Sequence, residues 1–201
     1  MLALQVFLSG ITAGSVYAIV ALGFVLIYKG TRVIHFGLGD QVTLGAYLVL
    51  AMQLYAGASF YWAIGAGIVM AGAIGLSLER LVMRPMRHRP VIVQIIATLA
   101  IGLAIREGLR AFMGPSGWPF QFLLSPSPVS IWGIYFAWSN VAIVFASLAV
   151  MAALFFFFAH ARLGEAVLAA CENPVGAYLI GVPVLRVVTL IWVLASVLAA
   201  I

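Results

Sequence analysis

The chain has 201 residues, 66% of them hydrophobic and 7% charged, with a formal net charge of +5 and a mean hydropathy of +1.22. A soluble domain is about half apolar and about a quarter charged, so this chain has too few polar residues to coat a water-exposed surface. The composition excludes a water-soluble fold and points to a bilayer as solvent.

The basic excess reads as membrane-flanking loops rather than nucleic-acid binding. The single cysteine, Cys171, permits no disulfide within the chain. His35, His88 and His160 are scattered and lie near no cluster of acids, so no metal site is expected.

In chain order, the first apolar run covers residues 3–28. At 1.5 Å per residue it reaches about 39 Å, enough to cross a core of about 30 Å with tilt or a break. It has no basic n-region and is too long for a signal h-region, so it reads as a retained first span. A polar, glycine-rich stretch follows at 29–40, then a short second run at 41–55 and a third at 61–83. The basic segment 84–90 separates these from a fourth run at 91–113. Residues 114–137, rich in Pro, Gly, Ser and Trp, read as an interfacial loop or hairpin. A fifth run occupies 138–159, a mixed-polarity segment follows at 162–185, and a sixth run begins near 186. That last run, residues 187–201, reaches only about 22 Å of helix. Ending there would leave a carboxylate and unpaired carbonyls in lipid, so further chain is expected to complete it. The fold class expected is all-α: one polytopic transmembrane helical bundle over 1–201, with about six spanning segments, the last incomplete.

Lysine and arginine set the expected orientation. Alternation of the runs puts Lys29, Arg32, Arg80, Arg84, Arg87, Arg89, Arg162 and Arg186 on one side. By the positive-inside tendency that side is cytoplasmic and the N-terminus is outside. Arg106 and Arg110 lie at the other end beside Glu107, and Glu107 and Arg110 are spaced to pair at i,i+3. Gly67, Ala71 and Gly75, and likewise Gly10, Gly14 and Ala18, form small-residue stripes that read as helix-packing faces.

Two segments stand out. Residues 33–47, VIHFGLGDQVTLGAY, place His35 and Asp40 beside Gly37, Gly39 and Gly45 between helices of unequal length. Irregular backbone at membrane depth survives only against protein or a watery cavity, and an ionisable residue there marks function. The same residues also read as an ordinary loop with Asp40 capping the next helix. Residues 163–182, LGEAVLAACENPVGAYLIGV, are too polar to span and too apolar for a solvated loop. Helix over 166–171, interruption at Pro174 and an end at Gly181 give two short helices, set to meet either a partner or lipid. Arg84–Arg89 read as a topological anchor. No nucleophile–base pair, phosphate loop or Walker motif occurs, so the chain is not expected to be an enzyme, and no catalytic residue or cofactor is assigned.

Several collinear pieces resemble the permeases of the branched-chain amino acid ABC importers, the Liv type. GITAGSVYAIVALGFVLIYKG (10–30) is similar to that family's first helix with its Gly-x-x-x-Gly-Ser-x-Tyr-Ala signature. IHFGLGDQVTLGAY (34–47) resembles its Ile-Asn-Phe-Ala-His-Gly-Glu stretch ending in Gly-Ala-Tyr. LERLVMRPMR (78–87) resembles its Glu-Arg-…-Arg-Pro-x-Arg segment, and IIATLAIGLAIREGLRAFMGP (95–115) its fourth helix. Residues 163–201 resemble its cytoplasmic coupling segment and the next helix. His35 stands where the family usually has Asn, Leu38 where it has His, and Asp40 where it has Glu, which keeps the charge.

The resemblance implies a multi-pass permease of a bacterial-type inner membrane, carrying branched-chain or related amino acids inward, with urea and short amides as further substrates of the class. It implies a second permease subunit, as homo- or heterodimer, two cytoplasmic ABC ATPases, a periplasmic binding protein and surrounding lipid, and no nucleic acid. Gly164, Glu165, Ala169, Glu172, Asn173, Pro174 and Gly181 match the coupling pattern. His35, Phe36, Gly37, Gly39, Asp40 and Gly45 are the candidates for pathway or gate. The competing expectation is an ATP-independent channel or ion-coupled carrier, which usually needs several ionisable groups within the membrane.

Overall fold

The computed structural model describes residues 2–114, 129–131, 134–136 and 138–201. Among these, the chain is a helical membrane bundle. It runs α1 (Leu2–Thr31), α2 (Leu38–Ala56), α3 (Phe60–Met86), α4 (Val91–Met113), α5 (Trp138–His160), α6 (Arg162–Glu172), α7 (Pro174–Leu179) and α8 (Val184–Ala200). Four helices are long and apolar enough to cross a membrane: Val6–Thr31 of α1, α3, α4 and α5. Against the six segments expected, α2, which carries Asp40 and Gln41 in its first turns, is not among these four, and α8 is a shorter apolar helix of 17 residues.

The hairpin expectation for 114–137 is met where the chain is described: Val129–Ile131 pairs antiparallel with Ile134–Phe136. Residues 115–128 lie outside the described residues. The first run is one unbroken helix of 30 residues. It ends where Arg32 takes a left-handed φ of 59° and its N–H donates to Tyr28 O at 2.8 Å, a helix-terminating geometry. The two short helices of 162–179 fall on either side of Asn173, the second beginning at Pro174, and Gly181 (φ 89°) turns the chain into α8.

α8 is the hub, packed against α1, α2 and α3. Its close approaches depend on residues without side chains. A methyl on Gly45 of α2 would lie 2.6 Å from Ala200 Cα, and one on Gly75 of α3 would collide with Ser196 and Trp192 O. The stripe of Gly67, Ala71 and Gly75 is buried as expected, whereas among the described residues nothing lies within 4 Å of a Cβ built on Gly10 or Gly14. These pairings also give direction. Gln41 meets Ser196 and Gly45 meets Ala200, so α2 and α8 run parallel. Gly30 meets Ile191 and Gly23 meets Ala195, so α1 runs opposite to them. α4 runs alongside α2 and also touches α3 at its last turns, and α5 packs against α1 and α6. The core gathers Ile27, Val33, Leu38, Ile191, Trp192 and Ala195 where α1, α2 and α8 converge.

Candidate translocation and coupling sites

The α1–α2 break lies beside the middle of α4. A Cβ on Gly37 would stand 2.8 Å from Thr98 O and 3.1 Å from Gly102 N, so only glycine lets the chain run this close to the α4 backbone. Thr98, fully buried, ties the irregular backbone down. Its Oγ1 accepts from Phe36 N–H at 3.3 Å and lies 2.8 Å from Ile95 O and 3.3 Å from Ile34 O as donor. Gly102 is the midpoint of the 23 residues of α4, a helix of about 34 Å. The break therefore lies level with the midpoint of a helix long and apolar enough to cross a membrane.

The six pathway candidates divide. His35, Gly37 and Gly45 are buried in the bundle, Phe36 and Gly39 are exposed, and Asp40 lies between. His35 stacks on Trp192 with ring centroids 4.8 Å apart, and neither of its ring nitrogens has a hydrogen-bond partner among the described residues. Asp40 does not cap α2: it sits within the first turn, and no side-chain cap bond is made. Instead Arg106 Nε donates to Asp40 Oδ1 at 2.9 Å, and Nη2 lies 2.9 Å from the same oxygen. Arg106 thus pairs across to α2, while Glu107 and Arg110 pair at 3.1 Å as their spacing predicts.

The second set of buried polar groups had no clear signal in the sequence. The last turns of α3 form a π-helical turn, Glu79–Met83, in which i→i+5 bonding brings residues five apart onto one side. Arg84 then lies over Glu79, donating from Nε to Oε1 at 3.0 Å and from Nη2 to Oε2 at 2.9 Å. Thr189 Oγ1 of α8 stands 3.1 Å from Glu79 Oε2 and 2.8 Å from Arg84 Nη2. Arg84 is therefore more than a topological anchor. Beside this cluster a cavity of about 210 Å³ opens between the ends of α1, α3, α4 and α8.

The coupling candidates lie together on α6 and α7. Gly164 is buried because a Cβ there would strike Phe157 O and Phe158 at the end of α5, which fixes the α5–α6 corner. Asn173 Oδ1 accepts from Gly176 N–H at 2.9 Å and caps α7, with Pro174 at its first position, a favoured start. Ala169 is half-buried, whereas Glu165, Glu172, Asn173, Pro174 and Gly181 are exposed. So are Val175, Tyr178, Leu179 and Ile180, which give α7 an apolar outer face. Cys171 is buried, and burial pushes its thiol pKa up against the pull of the nearby Lys29 and Arg32 charges. No cluster of His, Cys, Asp and Glu among the described residues could hold a metal.

A family model described as "Branched-chain amino acid transport system / permease component" matches residues 6–201. The chain belongs to this permease family. It is 28% identical to the high-affinity branched-chain amino acid transport system permease protein LivH of Salmonella typhimurium, over 98% of this chain and 68% of that protein. It is 26% identical to BraD, the permease protein of the same description from Pseudomonas aeruginosa, over the same shares. A probable LivH of Methanocaldococcus jannaschii is 29% identical over 91% of this chain and 59% of its own length. No solved structure matches. A transport permease is not a catalytic enzyme, in keeping with the lack of catalytic motifs in the sequence.

Proposed function

We propose that this permease is the membrane-spanning subunit of an ABC importer for branched-chain or related amino acids. Two permease subunits would enclose the pathway, a periplasmic binding protein would deliver substrate, and two ATPases would act on the face carrying Arg84, Arg87 and Arg89. That face is then cytoplasmic and the N-terminus outside, as the positive-inside tendency favours.

The observation that carries the reading is the Asp40–Arg106 pair on the surface of this chain at the depth of the α4 midsection. Charges at that depth do not face lipid; they face a partner helix or a water-filled path. The names of the relatives supply the substrate class. α6 and α7 are the coupling element in this reading: a corner fixed by Gly164, a capped α7 and an exposed apolar face beside Glu172 suit a docking surface for an ATPase.

Glu172→Arg tests this. In proteoliposomes carrying the full transporter, the variant is expected to retain ATP hydrolysis and lose substrate-dependent uptake. Uptake at the unaltered rate would remove α6 and α7 from the coupling role. Uptake that runs on an ion gradient without any ATPase would replace the importer with an ion-coupled carrier.

A further inference from the structure

We propose that the cavity at the end of α3 holds the phosphate headgroup of an anionic phospholipid. The cavity measures about 210 Å³, and its wall includes Arg84, Arg87, Gln94, Leu185, Val188 and Trp192. Its charge is unbalanced. Glu79 also lines it, but both oxygens of that carboxylate are taken by Arg84 and Thr189. Arg84 donates through Nε and Nη2, which leaves Nη1 without a partner among the described residues. Among the described residues Arg87 donates from Nε, to His88 Nε2. Two guanidinium groups with further N–H donors thus line one cavity, and guanidinium donors suit phosphate oxygens.

Trp192, fully buried, belongs to the wall of the same cavity.

The surroundings favour a lipid over a free anion. Leu81 on α3 and Val91, Ile92 and Ile96 at the start of α4 are exposed apolar side chains on two of the helices that wall the cavity. Leu185 and Val188 continue the apolar lining inward. A basic pocket at the ends of spanning helices, bordered by apolar surface, matches an amphiphile whose phosphate enters and whose chains stay outside. The proposal needs only the membrane bundle and stands apart from what the permease carries.

The test uses the purified, fully assembled transporter and native mass spectrometry. The probes are dioctanoyl phosphatidylglycerol, dioctanoyl phosphatidylcholine, inorganic phosphate and leucine. Arg87→Gln leaves the Glu79–Arg84–Thr189 cluster intact, so its folding is not at risk from an unpaired buried carboxylate. The wild-type complex is expected to retain phosphatidylglycerol in preference to phosphatidylcholine, and Arg87→Gln to weaken that retention roughly fivefold, the worth of one basic charge near a membrane surface. Equal retention of both lipids, or of phosphatidylglycerol by both proteins, overturns the proposal. Displacement by inorganic phosphate at equal concentration makes the site one for free phosphate and overturns the lipid assignment. Displacement by leucine assigns the cavity to the transport pathway and overturns it as well.

Discussion

Glu79 and Asp40 each meet a guanidinium at 2.9 Å, yet the two pairs stand in different surroundings. Glu79 is 2% exposed and Arg84 38%, with Thr189 completing the cluster; Asp40 is 15% exposed and Arg106 52%. The first pair is built into the joint between α3 and α8, through a π-helical turn that exists where Arg84 must reach back five residues. The second pair bridges α2 and α4 at mid-depth and stays open on one side. The same chemistry therefore serves two ends. An ion pair built into the joint of two helices holds a shape, whereas one left on the surface of a spanning helix must face something other than lipid.

The comparison is sharpest when one partner is removed. Arg84→Ala leaves the Glu79 carboxylate buried with only Thr189 beside it. Breaking a fully buried pair costs about 3–5 kcal/mol, and partial exposure of Arg84 brings the expectation nearer 2–3 kcal/mol. The expected outcome is a sharply lower thermal midpoint in detergent, with much of the loss recovered by adding Glu79→Gln. A midpoint unchanged by Arg84→Ala would show that the cluster does not hold α3 to α8.

Asp40→Asn is expected to behave in the opposite way. The pair is open to its surroundings, so the stability change stays below about 1 kcal/mol. ATP-driven uptake is expected to fall by about tenfold or more, equal to at least about 1.4 kcal/mol of the rate-limiting barrier. A variant that loses stability and keeps its uptake would move Asp40 into the same structural role as Glu79.

Much of this arrangement is legible in the sequence. Apolar runs, basic segments and the breaks at Pro174 and Gly181 locate the helices, because length and hydropathy act locally. The start of α2 is less legible. Asp40 reads as the end of the polar stretch by composition, yet it lies within the helix, since Gly37 lets the chain touch α4 and Arg106 covers the charge. Arg106 was hidden for the same reason: its partner is 66 residues away, beyond the reach of helical spacing. Glu79, Arg84 and Thr189 were hidden by the π-helical turn, because a pattern of 3.6 residues places positions 79 and 84 on different faces. His35 and Asp40 stand out as ionisable residues near glycines, but only the fold separates the fully buried His35 from Asp40, which keeps 15% of its side chain exposed.

In the proposed importer the α1–α2 break faces a water-filled path. Phe36 is the side chain that reports on it, being half exposed and next to the Thr98 anchor. The direct measurement is the reaction of Phe36→Cys with a small, membrane-impermeant methanethiosulfonate in vesicles holding the complete transporter, with Cys171→Ser removing the native thiol. The account predicts reaction through water and slowing by transported substrate. A cysteine that resists the reagent in every nucleotide state, and whose attached fluorophore is quenched by brominated lipid chains, would place the break against lipid and contradict it.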